Sequence, residues 1–233
     1  FGKGHHLHLI DGSAFIFRAY HALPPLTRKS DGLPIGAVAG FCNMLWKYIQ
    51  DAGGADQPTH AAVIFDHSSK TFRNEIYPQY KANREKMPDE LRSQIEEIKH
   101  MLSVLGIKRL EEADYEADDV LGTIAEKYAS KQLEVVLVTG DKDAYQLVGR
   151  NVSIYANKKG ITEFEIYDEK AVKEKLGLSP QQVIDYMALT GDTSDNIPGV
   201  RGVGEKTAQR LISDYGSLDN IYAHLAEIKG KLK

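Results

Sequence analysis

Cysteine is nearly absent from the 233-residue chain: Cys42 is its one cysteine, so no disulfide can form within it. No apolar run approaches the roughly 18 residues that a membrane-spanning helix needs. The first residues, FGKGHHLHLI, lack the hydrophobic region and cleavage site of a secretion signal. These absences predict a soluble protein of the reducing cytoplasm. Because Cys42 lies inside the apolar run AVAGFCNMLWKYI, we assign it to the core.

The chain also lacks an initiator methionine, and a glycine and histidines precede its first apolar run. We interpret this start as a trimmed or engineered terminus, and we do not consider His5, His6 and His8 as metal ligands. Internal repeats, low-complexity tracts and flexible linkers are absent as well. With 42% hydrophobic and 27% charged residues, the length predicts a globular chain with a large core and a smaller appended domain.

Three apolar runs end at aspartates: LHLI before Asp11, AAVIF before Asp66 and VVLVTG before Asp141. Such runs predict buried parallel strands, whose carboxyl ends meet at the sheet edge where ligands bind in α/β proteins. Six further acids are placed to join them: Glu116, Asp118, Asp119, Asp143, Asp192 and Asp195. Nine neighbouring carboxylates repel one another unless cations are bound. The pattern therefore predicts a site for divalent metal ions.

A simpler explanation remains open for each acid taken singly. An aspartate after a strand is often an N-cap or a turn former. Acids in the first turn of a helix also complement its dipole. Within YEADDV, Glu116 and Asp119 share a helical face, whereas Asp118 joins them only if the first turn is irregular.

The apolar periodicity predicts an α/β fold with a mostly parallel central sheet and helices on both faces. Predicted strands span 7–11, 60–66, 107–110 and 134–139. Predicted helices span 13–22, 35–51 and 116–130, with another opening at Pro88. The run NVSIYANKKGITEFEIY predicts a hairpin that turns at Lys159 and Gly160. From about residue 168 the chain is expected to be entirely helical.

The polar segment TFRNEIYPQYKANREKMP, which follows Asp66, mixes basic and aromatic side chains. These are Arg73, Lys81, Arg84 and Lys86, interleaved with Phe72, Tyr77 and Tyr80. Such a mixture suits phosphate contacts and base stacking, and a loop after a strand is where substrate is handled. The alternative is an ordinary solvated loop with its aromatic rings turned inward.

The stretch NIPGVRGVGEKTAQRL has the glycine spacing of a helix-hairpin-helix. Gly199, Gly202 and Gly204 permit a tight turn, and Lys206 and Thr207 open the next helix, whose positive end favours anions. Such hairpins hold the duplex backbone without reading bases; the alternative is an ordinary helix connection. The net charge is −4, yet setting the nine acids aside leaves 24 acidic against 29 basic residues, which suits phosphates.

Six ordered motifs resemble the 5′-nuclease domains of bacterial DNA polymerases I, within the flap endonuclease family. They are LIDGSAFIFRAYHAL, VIFD, YPQYKANR, YEADDVLGTIA, VTGDKDAYQLV and LTGDTSDNIPGVRGVGEKTA. The resemblance extends from about Leu7 to Lys233. It implies a PIN-like α/β nuclease core over 1–167, with a helical arch at about 67–100. A helical DNA-binding region with a helix-three-turn-helix would occupy 168–233.

The resemblance also implies roles for individual residues. The acids similar to the first metal site are Asp11, Asp66, Glu116, Asp118 and Asp119, and those similar to the remaining ligands are Asp141, Asp143, Asp192 and Asp195. The residues expected to be catalytic are Lys81, Arg84, Asp66 and Asp141. The expected DNA contacts are Arg18, Arg73, Tyr80, Lys81, Arg84, Gly199, Gly202, Gly204, Lys206 and Thr207. Carbonyls near Val200 and Val203 resemble a potassium site.

The function that the resemblance implies is hydrolysis of DNA by two Mg²⁺ or Mn²⁺ ions, as a 5′→3′ exonuclease and 5′-flap endonuclease. Its substrates would be flaps, nicks and free 5′ ends, including RNA-primed ones, in replication and repair at the nucleoid. We expect a monomer. Because the chain stops at Lys233, where the family usually continues, we expect a short protein or a fragment of one fused to polymerase domains. Two alternatives remain: a PIN-type ribonuclease and a non-catalytic DNA-junction-binding protein.

Overall fold

A computed structural model describes residues 2–52, 57–159 and 163–228 of the chain. Its α-helices are α1 Gly12–Ala22, α2 Gly36–Asp51, α3 Phe72–Ile76, α4 Asp89–Val104, α5 Ala117–Tyr128, α6 Glu169–Leu176, α7 Val183–Thr190, α8 Glu205–Tyr215 and α9 Leu218–Ala223. Its strands are β1 His5–Asp11, β2 His60–Ile64, β3 Lys108–Leu110, β4 Leu133–Val138, β5 Val152–Lys159, β6 Glu163–Tyr167, β7 Gly191–Asp192 and β8 Ile197–Pro198. Short 3₁₀ helices span Lys142–Leu147 and Pro180–Gln182.

The central sheet has six strands in the order β3-β2-β1-β4-β5-β6. The first five are parallel, and β6 pairs antiparallel with β5. The predicted mostly parallel α/β sheet is therefore confirmed. The predicted hairpin is formed by β5 and β6, but Gly160 of its predicted turn lies outside the described residues.

Two boundaries differ from the predictions. Strand β2 ends at Ile64, so Asp66 stands two residues beyond the strand. The expectation of an entirely helical chain after residue 168 is wrong in one place, because Gly191–Asp192 pairs antiparallel with Ile197–Pro198. These two-residue strands are too short to give the alternating pattern that identifies a strand in a sequence.

The central strands β1 and β4 are largely buried because their side chains alternate between two hydrophobic layers. In β1, Leu9 packs in the layer that includes Leu121 of α5, and Ile10 packs in the layer that includes Phe41 of α2. Helix α4 is tied to α2 by the buried Gln94, whose Oε1 accepts a hydrogen bond from the backbone N of Ala37 at 2.7 Å. Helices thus cover both faces and leave the strand ends open.

The C-terminal helices have a small core of their own. It contains Leu178, Leu189, Val203, Leu211 and Ile212 from α7, α8 and the segments beside them. Within the ranges that the structure describes, no helix combines the length and apolarity needed to cross a bilayer.

Candidate metal and nucleic acid site

Asp11 is the last residue of β1 and also the N-cap of α1. Its Oδ1 accepts a hydrogen bond from the backbone N of Ala14 at 2.9 Å, and its Oδ2 accepts one from Thr139 Oγ1 at 2.8 Å. Thr139 follows β4, so this contact joins the ends of neighbouring strands. Burial first, and then the charges of Asp66 and Asp141, raise the pKa of Asp11 to about 6 despite these two hydrogen bonds.

The other two strand-end aspartates cap helices as well. Asp66 Oδ1 accepts from the backbone N of Ala117, the first residue of α5, at 2.7 Å. Asp141 Oδ1 accepts from the backbone N of Asp143 at 2.9 Å and begins a 3₁₀ helix. Capping and clustering are therefore not alternatives here, because each cap holds a carboxylate at the same edge of the sheet.

Asp118 joins the strand-end aspartates, and α5 is regular from its first residue. Glu116 pairs with Lys81 and Asp119 with Arg73, so Asp118 lies apart from these two acids, as expected for a regular first turn. Burial is the largest cause that raises the pKa of Asp118 to about 8. The nearby charges that add to this effect are, in order, those of Asp11, Asp141, Asp66 and Asp143.

Three acids lie close together where the 3₁₀ helix meets the β7–β8 loop. Asp143, Asp192 and Asp195 each offer a carboxylate oxygen within 4.8 Å of the others. Burial, followed by the charge of Asp141 and those of the other two members, raises the pKa of Asp143 to about 7. Asp192 differs: burial raises its pKa, but hydrogen bonds from Ser194 outweigh this, and the net direction is downward.

Basic side chains from the segment between β2 and α4 pair with the acids on one flank of the cluster. Lys81 Nζ lies 2.8 Å from Glu116 Oε2 and 3.8 Å from Asp195 Oδ2, and the Arg84 guanidinium also pairs with Asp195. Arg73 forms two hydrogen bonds with Asp119, both of 2.7 Å. Three of the nine acids are thereby neutralised by the chain itself.

Lys81 and Arg84 meet the acids without forming an α-helix. Residues 78–84 are a run of turns in which Lys81 has φ of 56°, within the left-handed region. The backbone N of Lys81 donates to Asp195 O at 2.9 Å, which fixes this turn against the β7–β8 loop. Asn83 and Asn196 add further contacts, to the carbonyls of Thr193 and Gln79 respectively.

Tyr80 is buried between the turn at 78–84 and the β7–β8 loop. Its side chain is 7% exposed, and its hydroxyl lies 3.0 Å from Glu116 Oε2 and 3.1 Å from Asp195 Oδ2. Burial, reinforced by these two carboxylates, raises the pKa of Tyr80. The predicted stacking of this ring on a base stays a prediction, and it requires the ring to leave the position described here.

The acids fit a divalent metal centre by their chemistry. Every donor is a carboxylate oxygen, which Mg²⁺ and Mn²⁺ prefer, and no cysteine or histidine belongs to the group. Burial and, after it, neighbouring carboxylates raise the pKa values of Asp11, Asp118 and Asp143, so negative charge is unfavourable in the centre of the cluster. Bound cations would compensate the negative charge of these carboxylates.

We predict that the metal-free protein becomes less stable as pH rises from about 5 to 8. Asp11, Asp118 and Asp143 have folded pKa values above their usual 3.8, so the folded state binds more protons than the unfolded state in this range. The free energy of unfolding must then fall with rising pH. Thermal melts in EDTA should show this fall, and Asp118→Asn should flatten it; melts that are independent of pH would contradict the raised pKa values.

The three hairpin glycines differ in their local environment. A Cβ on Gly199 would lie 2.3 Å from the carbonyl of Thr190, so this position packs against backbone. Gly202 has φ of 84°, which disfavours other residues. Gly204 is the N-cap of α8, and an added Cβ there would meet nothing within 4 Å. Gly202 and Gly204 thus both have open space beside them, whereas Gly199 is packed against backbone.

The remaining predicted DNA contacts lie around these elements. Lys206 is exposed and Thr207 half-buried in the first turn of α8. Arg18 of α1 is half-buried and lines a cleft with Gly140 and Asp141. The structure thus places Arg18 beside Asp141, and Gly204 of the hairpin lines a second cleft that also contains Asp141 and Asp192.

Sequence reasoning missed the hydroxyl groups that orient the acids. Ser13 Oγ accepts from the backbone N of Asp66 at 3.1 Å, Thr139 bonds Asp11, and Ser194 bonds Asp192. Each lies within two residues of a cluster acid, in DGS, VTGD or GDTSD. This adjacency is a signal that could have identified them.

We predict that Lys206→Ala weakens binding to duplex DNA of any sequence. A lysine that neutralises one phosphate contributes about one ion to the salt dependence, so the salt slope should decrease by about one. The single-turnover rate at saturating substrate should stay nearly unchanged, because Lys206 lies outside the acid cluster. Affinity measured at several salt concentrations tests this; a lost rate with unchanged affinity would show that the hairpin is not a docking element.

Two consecutive family models together match residues 6–233. One, described as "5'-3' exonuclease, N-terminal resolvase-like domain", matches residues 6–177, and the other, "5'-3' exonuclease, C-terminal SAM fold", matches residues 178–233. The chain is 50% identical over 230 residues to DNA polymerase I of Rhizobium leguminosarum and 44% identical over 227 residues to that of Mycobacterium tuberculosis. These alignments cover 97% of this chain but 22% and 25% of those proteins, so the chain spans about a quarter of their length.

Solved structures share the fold at low sequence identity. The T5 5'-exonuclease with bound zinc superposes with a TM-score of 0.72 and 24% identity, over 97% of this chain and 81% of that one. The catalytic core of Rad2 in complex with DNA substrate gives a TM-score of 0.65 and 19% identity, over 98% of this chain and 68% of that one.

Proposed function

Because the chain belongs to the 5'-3' exonuclease family, as its motifs predict, we propose that it is a metal-dependent nuclease that hydrolyses DNA from 5′ ends and at 5′ flaps. The observation that carries this proposal is the cluster of nine carboxylates, three of which follow strands of the central sheet, with basic side chains along one flank. A binding protein has no use for so many mutually repelling charges. Relatives solved with divalent zinc and with DNA substrate support the same assignment.

We assign the metal-binding role to two sets of acids. One set is Asp11, Asp66, Glu116, Asp118 and Asp119, and the other is Asp141, Asp143, Asp192 and Asp195. Two Mg²⁺ or Mn²⁺ ions held there would lower the pKa of an attacking water and neutralise charge on the scissile phosphate. The strand-end caps and the hydroxyls of Thr139, Ser13 and Ser194 hold these carboxylates in place.

The basic flank supplies the chain's own part of the chemistry. Lys81 and Arg84 already point at the acids, so a phosphate that enters the cluster meets two cations beside it. Their positive charge would stabilise the extra negative charge of the transition state. Arg73 holds Asp119 through two hydrogen bonds, and Arg18 approaches from α1.

The C-terminal helices would hold the duplex. The open N-terminus of α8, with Gly204, Lys206 and Thr207, suits a backbone phosphate, and a potassium ion at the carbonyls of Val200 and Val203 would assist. We accordingly propose a nuclease core over 1–167 and a DNA-binding region over 168–233. Since the relatives are DNA polymerases I, we also propose that the activity removes flaps and RNA primers beside a polymerase, in the cytoplasm.

The direct test is incubation with a 5′-flap duplex, with Mg²⁺ and with EDTA, followed by sizing of labelled products. We expect cleavage near the flap junction with Mg²⁺ only, which leaves a 5′-phosphate and a 3′-hydroxyl. A 3′-flap duplex of the same sequence is the matched control, and its flap strand should not be cut at the junction.

Other outcomes identify the alternatives. Cleavage of single-stranded RNA with intact flap DNA would indicate a PIN-type ribonuclease. Metal-independent binding to flap DNA without cleavage in either Mg²⁺ or Mn²⁺ would indicate a junction-binding protein.

A further inference from the structure

A cleft of about 740 Å³ is lined both by acids of the cluster and by the N-terminus of α8. Asp141, Asp143 and Asp192 lie on its wall together with Gly204 and Lys175. If the proposed function holds, this cleft connects the duplex held at the hairpin with the acids. Its charged and polar wall groups are therefore placed to contact nucleic acid.

Lys175 is the best-defined cation on this wall. It lies near the end of α6, and its Nζ donates to the hydroxyl of Tyr167 at 2.5 Å. The ammonium also lies 4.3 Å from the ring centroid of Tyr167 and 5.5 Å from that of Tyr145. Both rings are buried, so they form a rigid seat for the cation.

Hydrogen bonding and packing fix the positions of Tyr167 and Tyr145. The Tyr167 hydroxyl, which accepts from Lys175, lies 2.8 Å from Glu165 Oε2 and donates to it. Tyr145 belongs to the 3₁₀ helix that begins at Asp141, and its ring packs on Tyr167 at 5.1 Å. The position of Lys175 is thus fixed relative to the acids through one short helix.

The surroundings of Lys175 keep its charge. Burial alone lowers its pKa, but the hydroxyls of Tyr167 and Tyr145 outweigh that effect and raise it. The residue remains exposed to the cleft, in contrast to Arg73 and Lys81, which are paired with acids. An oriented, accessible ammonium beside a DNA path is suited to a phosphate.

We propose that Lys175, seated on Tyr167 and Tyr145, is a binding site for a backbone phosphate of the DNA duplex between the hairpin and the acid cluster. This inference rests on the proposed function and adds a cation that does not belong to the basic flank of Lys81 and Arg84. It makes Lys175 a docking residue that fixes the register of the duplex, not a catalytic residue.

The test compares Lys175→Met with Lys170→Met, a matched control on the same helix whose side chain is 83% exposed and pairs with Glu174. Binding of a 5′-flap duplex is measured by anisotropy in EDTA at several salt concentrations. We expect Lys175→Met to bind about five- to tenfold more weakly at 0.1 M salt and to lose about 0.9 from the salt slope. Lys170→Met should match the wild type, and Lys175→Arg should restore most of the affinity.

Each result has a definite meaning. Equal affinity and slope for Lys175→Met and Lys170→Met overturn the site, while wild-type binding and cleavage keep the proposed function. If Lys175→Met does not fold, Lys175→Gln takes its place, and weaker binding that Lys175→Arg does not restore shows a merely structural role. If the wild type neither binds nor cleaves flap DNA, the proposed function itself fails.

Discussion

Asp141→Asn should reduce flap cleavage on the order of 10³-fold or more, because loss of a carboxylate at the centre of a metal cluster removes several kcal/mol of charge stabilisation. The fold should persist, since an asparagine Oδ1 can still accept from the backbone N of Asp143. Asp66→Asn should behave in the same way, with its cap to Ala117 retained. The measurement is the single-turnover rate at saturating Mg²⁺, together with a thermal melt.

A matched control is Asp51→Asn on α2, where the aspartate pairs with Lys47 away from the cluster. Its rate should equal that of the wild type. If Asp141→Asn turned over at the wild-type rate with saturating metal, the assignment of the cluster as the reaction centre would be wrong. A higher melting temperature without metal would support mutual repulsion among the acids.

Lys81→Ala should lower the single-turnover rate about 10²-fold, the usual loss for one electrostatic stabiliser of a transition state. Ground-state affinity should change much less, because Lys81 is aimed at the acids and not at the hairpin surface. Removing Arg84 as well should deepen the loss of rate. The rate and the dissociation constant are measured on one variant, at two salt concentrations.

Lys86→Ala is the control, because Lys86 is exposed in the same segment. It should change affinity slightly and leave the rate intact. If Lys81→Ala instead weakened binding in a salt-sensitive way with its rate preserved, Lys81 would be a docking residue and the segment an ordinary basic loop.

The sheet and most of the acid cluster could be predicted because their signals are local. Apolar runs that end at Asp11 and Asp141 identify buried strands, and parallel strand ends meet at one edge. The partner of each acid could not be predicted. Tyr80 reads as a surface aromatic in the sequence, yet it is buried because Glu116 and Asp195 come from segments 36 and 115 residues away.

The backbone conformation of Lys81 could not be predicted from the sequence either. Nothing in YKANR indicates that Lys81 adopts a positive φ, since that is set by the bond from its backbone N to Asp195 O. Asp195 lies in the loop between β7 and β8, and these strands are too short, at two residues each, to give a periodic pattern. Long-range contacts of single residues override local preference at these positions.

The contacts between the turn at 78–84 and the β7–β8 loop bear on how this protein can be divided. Seven of the nine acids lie in the part matched by the first family model, and Asp192 and Asp195 lie in the part matched by the second. An exchange of C-terminal parts between relatives would therefore replace two carboxylates of the cluster, not merely a DNA-holding module. Such a chimaera keeps these contacts if its first part retains Asn83 and its second part Asn196, because each side chain bonds a backbone carbonyl of the other part.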